Sequence, residues 1–98
     1  MSEEIINKIK KFFVDKPVKK AYLFGSFARN EDTDQSDIDI LVELDHTNPI
    51  GLKFVGMQLD LIKLLNKKVD LVSSKGISKF IKPYVDNEKI LIYDRENK

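Results

Sequence analysis

Apolar residues in this chain change their spacing several times, and each change marks an element. Ile5, Ile9, Phe12 and Phe13, with Ile6 beside them, recur at helical spacing and predict a helix over residues 2–15. Ser2 is placed to cap it, and Glu3 and Glu4 suit a first turn whose dipole favours acids. Pro17 disfavours helical geometry at Lys16 and ends the element. Residues 18–24 then read as a strand, 26–29 as a single helical turn, and 31–36 as polar loop, with Asn30 suited to a left-handed or turn conformation. Residues 37–44 form the second and strongest strand. Ile38, Ile40, Val42 and Leu44 share one face of this second strand, and Asp37 and Asp39 share the other.

Residues 45–48 form a turn. Asn48-Pro49 is a cap and first-turn pair, which predicts a long helix opening there and running to about Asn66. That helix carries two apolar stripes. One holds Ile50, Phe54, Met57, Leu61, Leu64 and Leu65. The other holds Leu52, Val55, Leu59 and Ile62, and either the N-terminal helix packs there through Ile5, Ile9 and Phe12 or part of the stripe stays exposed for a partner or a second copy of the chain. Residues 69–72 read as a third strand and 73–76 as a turn. Residues 77–88 are helical in spacing, with Pro83 splitting the segment or delaying its start. Residues 90–93 read as a last strand, followed by a charged tail, 94–98, expected to fray. Strands alternating with helices define an α/β domain, taken as one unit over 1–98.

Composition narrows this only a little. The chain has 98 residues, 42% apolar and 34% charged, with a net charge of +1, so no overall field points to nucleic acid or membrane. Cysteine is absent, which removes disulfides and thiolate metal sites. No apolar run approaches the ~18 residues of a membrane span, so the chain reads as soluble and cytoplasmic.

The chemistry gathers between the first two strands. Asp37 and Asp39, two apart on a strand, converge on one face at about 6.5 Å along it and form a seat for a divalent cation. Asp39 lies inside an apolar strand, where aspartate is disfavoured. The Gly25-Ser26 turn directly after the first strand leaves backbone N–H groups free to hold phosphate oxygens. Asp70 falls on the same side if the second and third strands are neighbours. Asp32, Asp34, Ser36 and Glu43 have calcium-loop spacing, but Asp37 stands where that loop needs glycine, and a strand follows. His46 lies in a polar turn and is expected to be exposed.

Gly25-Ser26, ten residues, then Asp37-x-Asp39 resembles the signature of the DNA polymerase beta-type nucleotidyltransferase superfamily. The fuller strings, residues 25–29 and 36–40, together with Val-Asp-Leu-Val at 69–72, resemble its minimal nucleotidyltransferase branch over nearly the whole chain. One departure is Asn30, where the family often has glycine. The resemblance implies a mixed sheet of about four strands backed by helices, ATP as substrate and two Mg²⁺ ions. It implies that Asp37, Asp39 and Asp70 hold metal, with Asp70 helping to deprotonate the acceptor. Gly25, Ser26 and Arg29 would hold the nucleotide's phosphates. It also implies an antitoxin that adenylylates a tyrosine of a HEPN-domain ribonuclease toxin. Two other readings stay open: an idle module that only sequesters a partner, and a subunit that modifies a small molecule or an RNA end.

Overall fold

The computed structural model describes residues 3–33 and 35–97. Ser2, the expected cap of the first helix, lies outside them, as does Lys98. The elements run α1 Glu3–Phe13, β1 Val18–Phe24, β2 Ile38–Leu44, α2 Lys53–Leu65, β3 Val69–Ser73, α3 Lys82–Glu88 and β4 Ile90–Asp94, closed by a 3₁₀ turn over Arg95–Asn97. The four strands form one mixed sheet in the order β3-β2-β1-β4. β1 is antiparallel to both β2 and β4, while β2 and β3 are parallel. A parallel pair requires a crossover, and α2 supplies it.

Alternation along β2 decides which face of the sheet becomes core. Ile38, Ile40 and Val42 are fully buried, joined by Ile9 and Phe13 of α1 and Met57 and Leu61 of α2. Burying each such side chain contributes roughly 1.5–3 kcal/mol. Two bulges adjust the pattern. The β1–β2 register skips Lys19, which keeps both Val18 and Ala21 on the core side. The β1–β4 register skips Ile92, so Ile92 and Tyr93 are both buried although adjacent.

Two sequence expectations need correction, the opening of the long helix and the fraying of the tail. The long helix does not open at Asn48-Pro49. Gly51 adopts φ 48°, a left-handed conformation incompatible with a helix, and α2 begins only at Lys53. Its other end falls as expected, at a left-handed Asn66 with φ 52°. The tail is tied down rather than frayed through Arg95, whose Nη1 donates to Asp45 Oδ2 at 2.7 Å and whose Nη2 donates to the Lys16 carbonyl at 3.3 Å. On the side of β2 opposite the core, Leu41 is buried as well. The second α2 stripe divides: Leu52, Val55 and Leu59 are exposed, but Ile62 packs against the core. Within the first stripe Leu64 is exposed. The segment 77–88 resolves as a late start, with α3 opening at Lys82-Pro83. Asn30 is left-handed at φ 57°, and His46 is exposed, both as expected. Among the described residues no helix is long and apolar enough to cross a membrane.

Candidate active site

The site starts where β1 runs out. Gly25 takes φ 75°, a conformation L side chains rarely adopt, and turns the chain off the sheet. One helical turn follows, held by Arg29 N–H to the Gly25 carbonyl at 3.2 Å and Glu31 N–H to the Ser26 carbonyl at 2.9 Å. Phe27 anchors it by burying its ring in the core, which leaves Arg29 outside. The N–H groups of Ser26, Phe27 and Ala28 meet no acceptor among the described residues. The Gly25 N–H, expected to be free, instead donates to Glu88 Oε1 at 2.9 Å.

Strand register brings the acids together. Phe24 pairs with Asp39 across β1–β2, and Asp39 pairs with Asp70 across β2–β3. The adjacency on which a role for Asp70 depended is therefore present. Asp37 precedes β2 and is exposed; the Ile38 N–H beside it donates to the Lys68 carbonyl at 2.9 Å, fixing the start of the strand. Asp39 is half-buried, and its carboxyl is pushed up to about 6, first by that burial and then by the charges of Asp70, Asp37 and Glu88, with Arg29 opposing. Its Oδ2 also lies so close to Gly25 that a Cβ there would collide with it.

Arg29 is gripped by two acids. Its Nη1 donates to Glu88 Oε2 at 2.8 Å, and its Nε donates to Glu31 Oε2 at 3.2 Å. The Arg29 guanidinium and the Gly25 N–H hold the Glu88 carboxyl below its usual range. Sequence reasoning missed Glu88. It lies sixty-three positions from Gly25, at the end of a short helix. The signal appears only once strand pairing is known: Leu23 pairs with Ile90, so the residue two before Ile90 lies level with the residue two after Leu23.

Chemically this is a cluster of hard oxygen donors with uncompensated negative charge, beside a turn that offers N–H groups and a guanidinium. Among the described residues no three acidic or imidazole side chains converge closely enough to form a ready metal cage. Mg²⁺ does not need one, because it keeps waters and takes one or two carboxylates together with substrate phosphates. The donor set fits such an ion on those terms. A cleft of about 460 Å³ opens farther along the same face, between Leu41, Glu43, Lys82 and Lys89, and does not include the acids.

A sheet with this order, carrying paired acids on β2 and β3 beside a Gly-Ser turn, matches known nucleotidyltransferases. The family model for polymerase beta nucleotidyltransferases matches residues 7–98, and the chain belongs to that family. A Methanocaldococcus jannaschii chain provisionally named a protein adenylyltransferase is 45% identical over 95 residues, covering 93% of this chain and 92% of its own length. Protein adenylyltransferase MntA of Thermococcus cleftensis is 35% identical over 75 residues, 76% of this chain and 75% of its own. Among solved structures, a toxin–antitoxin complex with AMP-PNP holds a chain that aligns with TM-score 0.79 and 27% identity, over 91% of this chain and 73% of that one. A complex of a tri-AMPylated Shewanella oneidensis HEPN toxin with an MNT antitoxin aligns at TM-score 0.74 and 26% identity, over 98% of this chain and 75% of that one.

Proposed function

We propose that this chain, acting as one minimal domain in the cytoplasm, is a protein adenylyltransferase antitoxin. It transfers AMP from ATP to a tyrosine hydroxyl of a HEPN ribonuclease toxin. Identity to named adenylyltransferases over almost their whole length supports the activity. The likeness to a chain in complex with an AMPylated HEPN toxin supports the acceptor. The observation that carries the reading is the register that sets Asp39 beside Asp70, next to the Gly25 turn.

In this reading the Ser26 hydroxyl and the N–H groups of the turn hold the β- and γ-phosphates, and Arg29 adds a charged contact. Gly25 lets the backbone approach them closely. Asp37, Asp39 and Asp70 hold two Mg²⁺ ions, which when bound stabilise the entering and leaving oxygens. Asp70, at the exposed edge of the cluster, takes the proton from the acceptor hydroxyl. The hydroxyl oxygen bonds to the α-phosphorus, the bond to the β-phosphate oxygen breaks, and pyrophosphate leaves.

The test is incubation with ATP, Mg²⁺ and the product of the adjacent gene, followed by intact-mass measurement of that partner. Addition of AMP to a tyrosine is expected. A partner that binds but gains no mass would leave only a sequestering module. AMP appearing on an RNA end or a small molecule instead would replace the acceptor.

A further inference from the structure

Two donors in the candidate nucleotide site are already in use. One carboxylate spans both: Glu88 Oε1 accepts from the Gly25 N–H at 2.9 Å and Glu88 Oε2 from Arg29 Nη1 at 2.8 Å. An oxyanion bridging a backbone N–H and a guanidinium is the arrangement a phosphate adopts on such donors. We propose that Glu88 is a built-in phosphate mimic, which occupies the anion seat of the turn and is displaced when a nucleoside triphosphate binds. This rests on reading the Gly25 turn as the nucleotide site.

The surroundings suit a carboxylate that leaves. Glu88 faces the Asp39 side of the cluster and adds to the charge that holds the Asp39 carboxyl high, so its contacts are made against repulsion from neighbouring acids. It is the last residue of α3, a seven-residue helix in which Val85 is buried while Lys82, Tyr84 and Asp86 are exposed. Its side chain is partly open to solvent, so a change of rotamer carries the carboxylate outward without disturbing the sheet. Arg29 does not lose its orientation when this happens, because Glu31 still holds its Nε. The vacated guanidinium edge and the Gly25 N–H then face the triphosphate. A ligand that must evict an internal competitor binds with an affinity reduced by the fraction of molecules in which the seat is filled.

A positioning role for Glu88 predicts the opposite sign, which makes the proposal testable by affinity alone. The probe is AMP-PNP with Mg²⁺, titrated calorimetrically into the intact protein with no acceptor present. Glu88→Gln keeps the side-chain volume and removes the charge, and is expected to tighten binding about tenfold. Glu88→Asp keeps the charge but shortens the reach, so it no longer spans both donors and is expected to tighten binding several-fold. Asp86→Asn removes a charge from the same helix, where Asp86 pairs with Lys82 and Lys89, and is expected to leave affinity unchanged. Weaker or unchanged binding in Glu88→Gln overturns the proposal. Equal tightening in Asp86→Asn, or tightening in Glu88→Gln without Glu88→Asp, shows a general charge effect and overturns it too. If the folded wild type and every variant fail to bind AMP-PNP, the nucleotide-site reading itself falls, and this inference with it.

Discussion

The two faces of β2 are built from alternate residues of one strand and obey different physics. On the core face Ile38, Ile40 and Val42 are sealed between the sheet and α1 and α2, within one hydrophobic cluster. On the other face Asp39 is half-buried among like charges, beside a glycine with no room for a methyl group. The first face stabilises the fold. The second costs stability, because carboxylates are held together away from full solvation. Such a conflict between local preference and fold is expected at a functional site. A single-residue step along β2 therefore separates residues whose loss should unfold the chain from residues whose loss should silence it.

The largest combined loss of stability and transfer should come from Gly25→Ala. The new Cβ would meet Asp39 Oδ2, and φ 75° would strain the residue. Stability should fall by about 2 kcal/mol and AMP transfer by at least about 100-fold, read by denaturant melts and by partner mass. Retention of both would mean that the turn tolerates a side chain. Next, Ile40→Ala should cost about 3 kcal/mol in a urea melt while each remaining folded molecule still transfers. A specific loss of transfer there would blur the division between the faces.

pH sharpens the contrast. Because the folded Asp39 carboxyl titrates near 6 and the unfolded one near 3.8, the folded state holds a proton that the unfolded chain has lost in between. The stability this contributes is complete below about pH 4 and is lost as pH rises toward about 6. In EDTA the loss should amount to about 1 kcal/mol, after allowance for solvent screening of a half-exposed group. It should vanish in Asp39→Asn, so the difference between the two melting curves across this window isolates it. A wild-type curve parallel to the mutant's would remove Asp39 from the strained side of the comparison.

The smallest change in stability is expected on the exposed stripe of α2. Leu59 is 54% exposed, so Leu59→Glu should shift the unfolding free energy by no more than about 0.5 kcal/mol. It should nevertheless weaken pull-down of the partner toxin if that stripe is the docking surface. Ile62 cannot serve the same test, because it packs against the core. Undiminished binding by Leu59→Glu would move the interface elsewhere.

What could be read from the sequence followed from short-range periodicity. The residue pattern over 37–44 placed β2 and its two faces, and beside that pattern the family resemblance carried by Gly25-Ser26 and Asp37-x-Asp39 pointed to the turn and the acids as one site. The partnership of Asp39 with Asp70 was conditional on strand order, which no local pattern specifies. Gly51 misled the helix start, because its left-handed φ depends on how the turn closes, while Asn48-Pro49 offered a stronger local signal. Glu88 and the Asp45–Arg95 pair were illegible for a related reason. Each is a contact between elements far apart in the chain, made only after β4 has paired with β1.

The account turns on Asp39, and one measurement addresses it directly. Transfer of AMP from ATP to the partner toxin should be compared for wild type and Asp39→Asn in the same Mg²⁺ buffer at matched folded fraction. The prediction is no detectable AMP on the partner from Asp39→Asn, with a melting temperature equal to or above that of wild type in EDTA. Transfer by Asp39→Asn within about tenfold of wild type, a barrier change of only about 1.4 kcal/mol, would contradict the assignment of chemistry to that face.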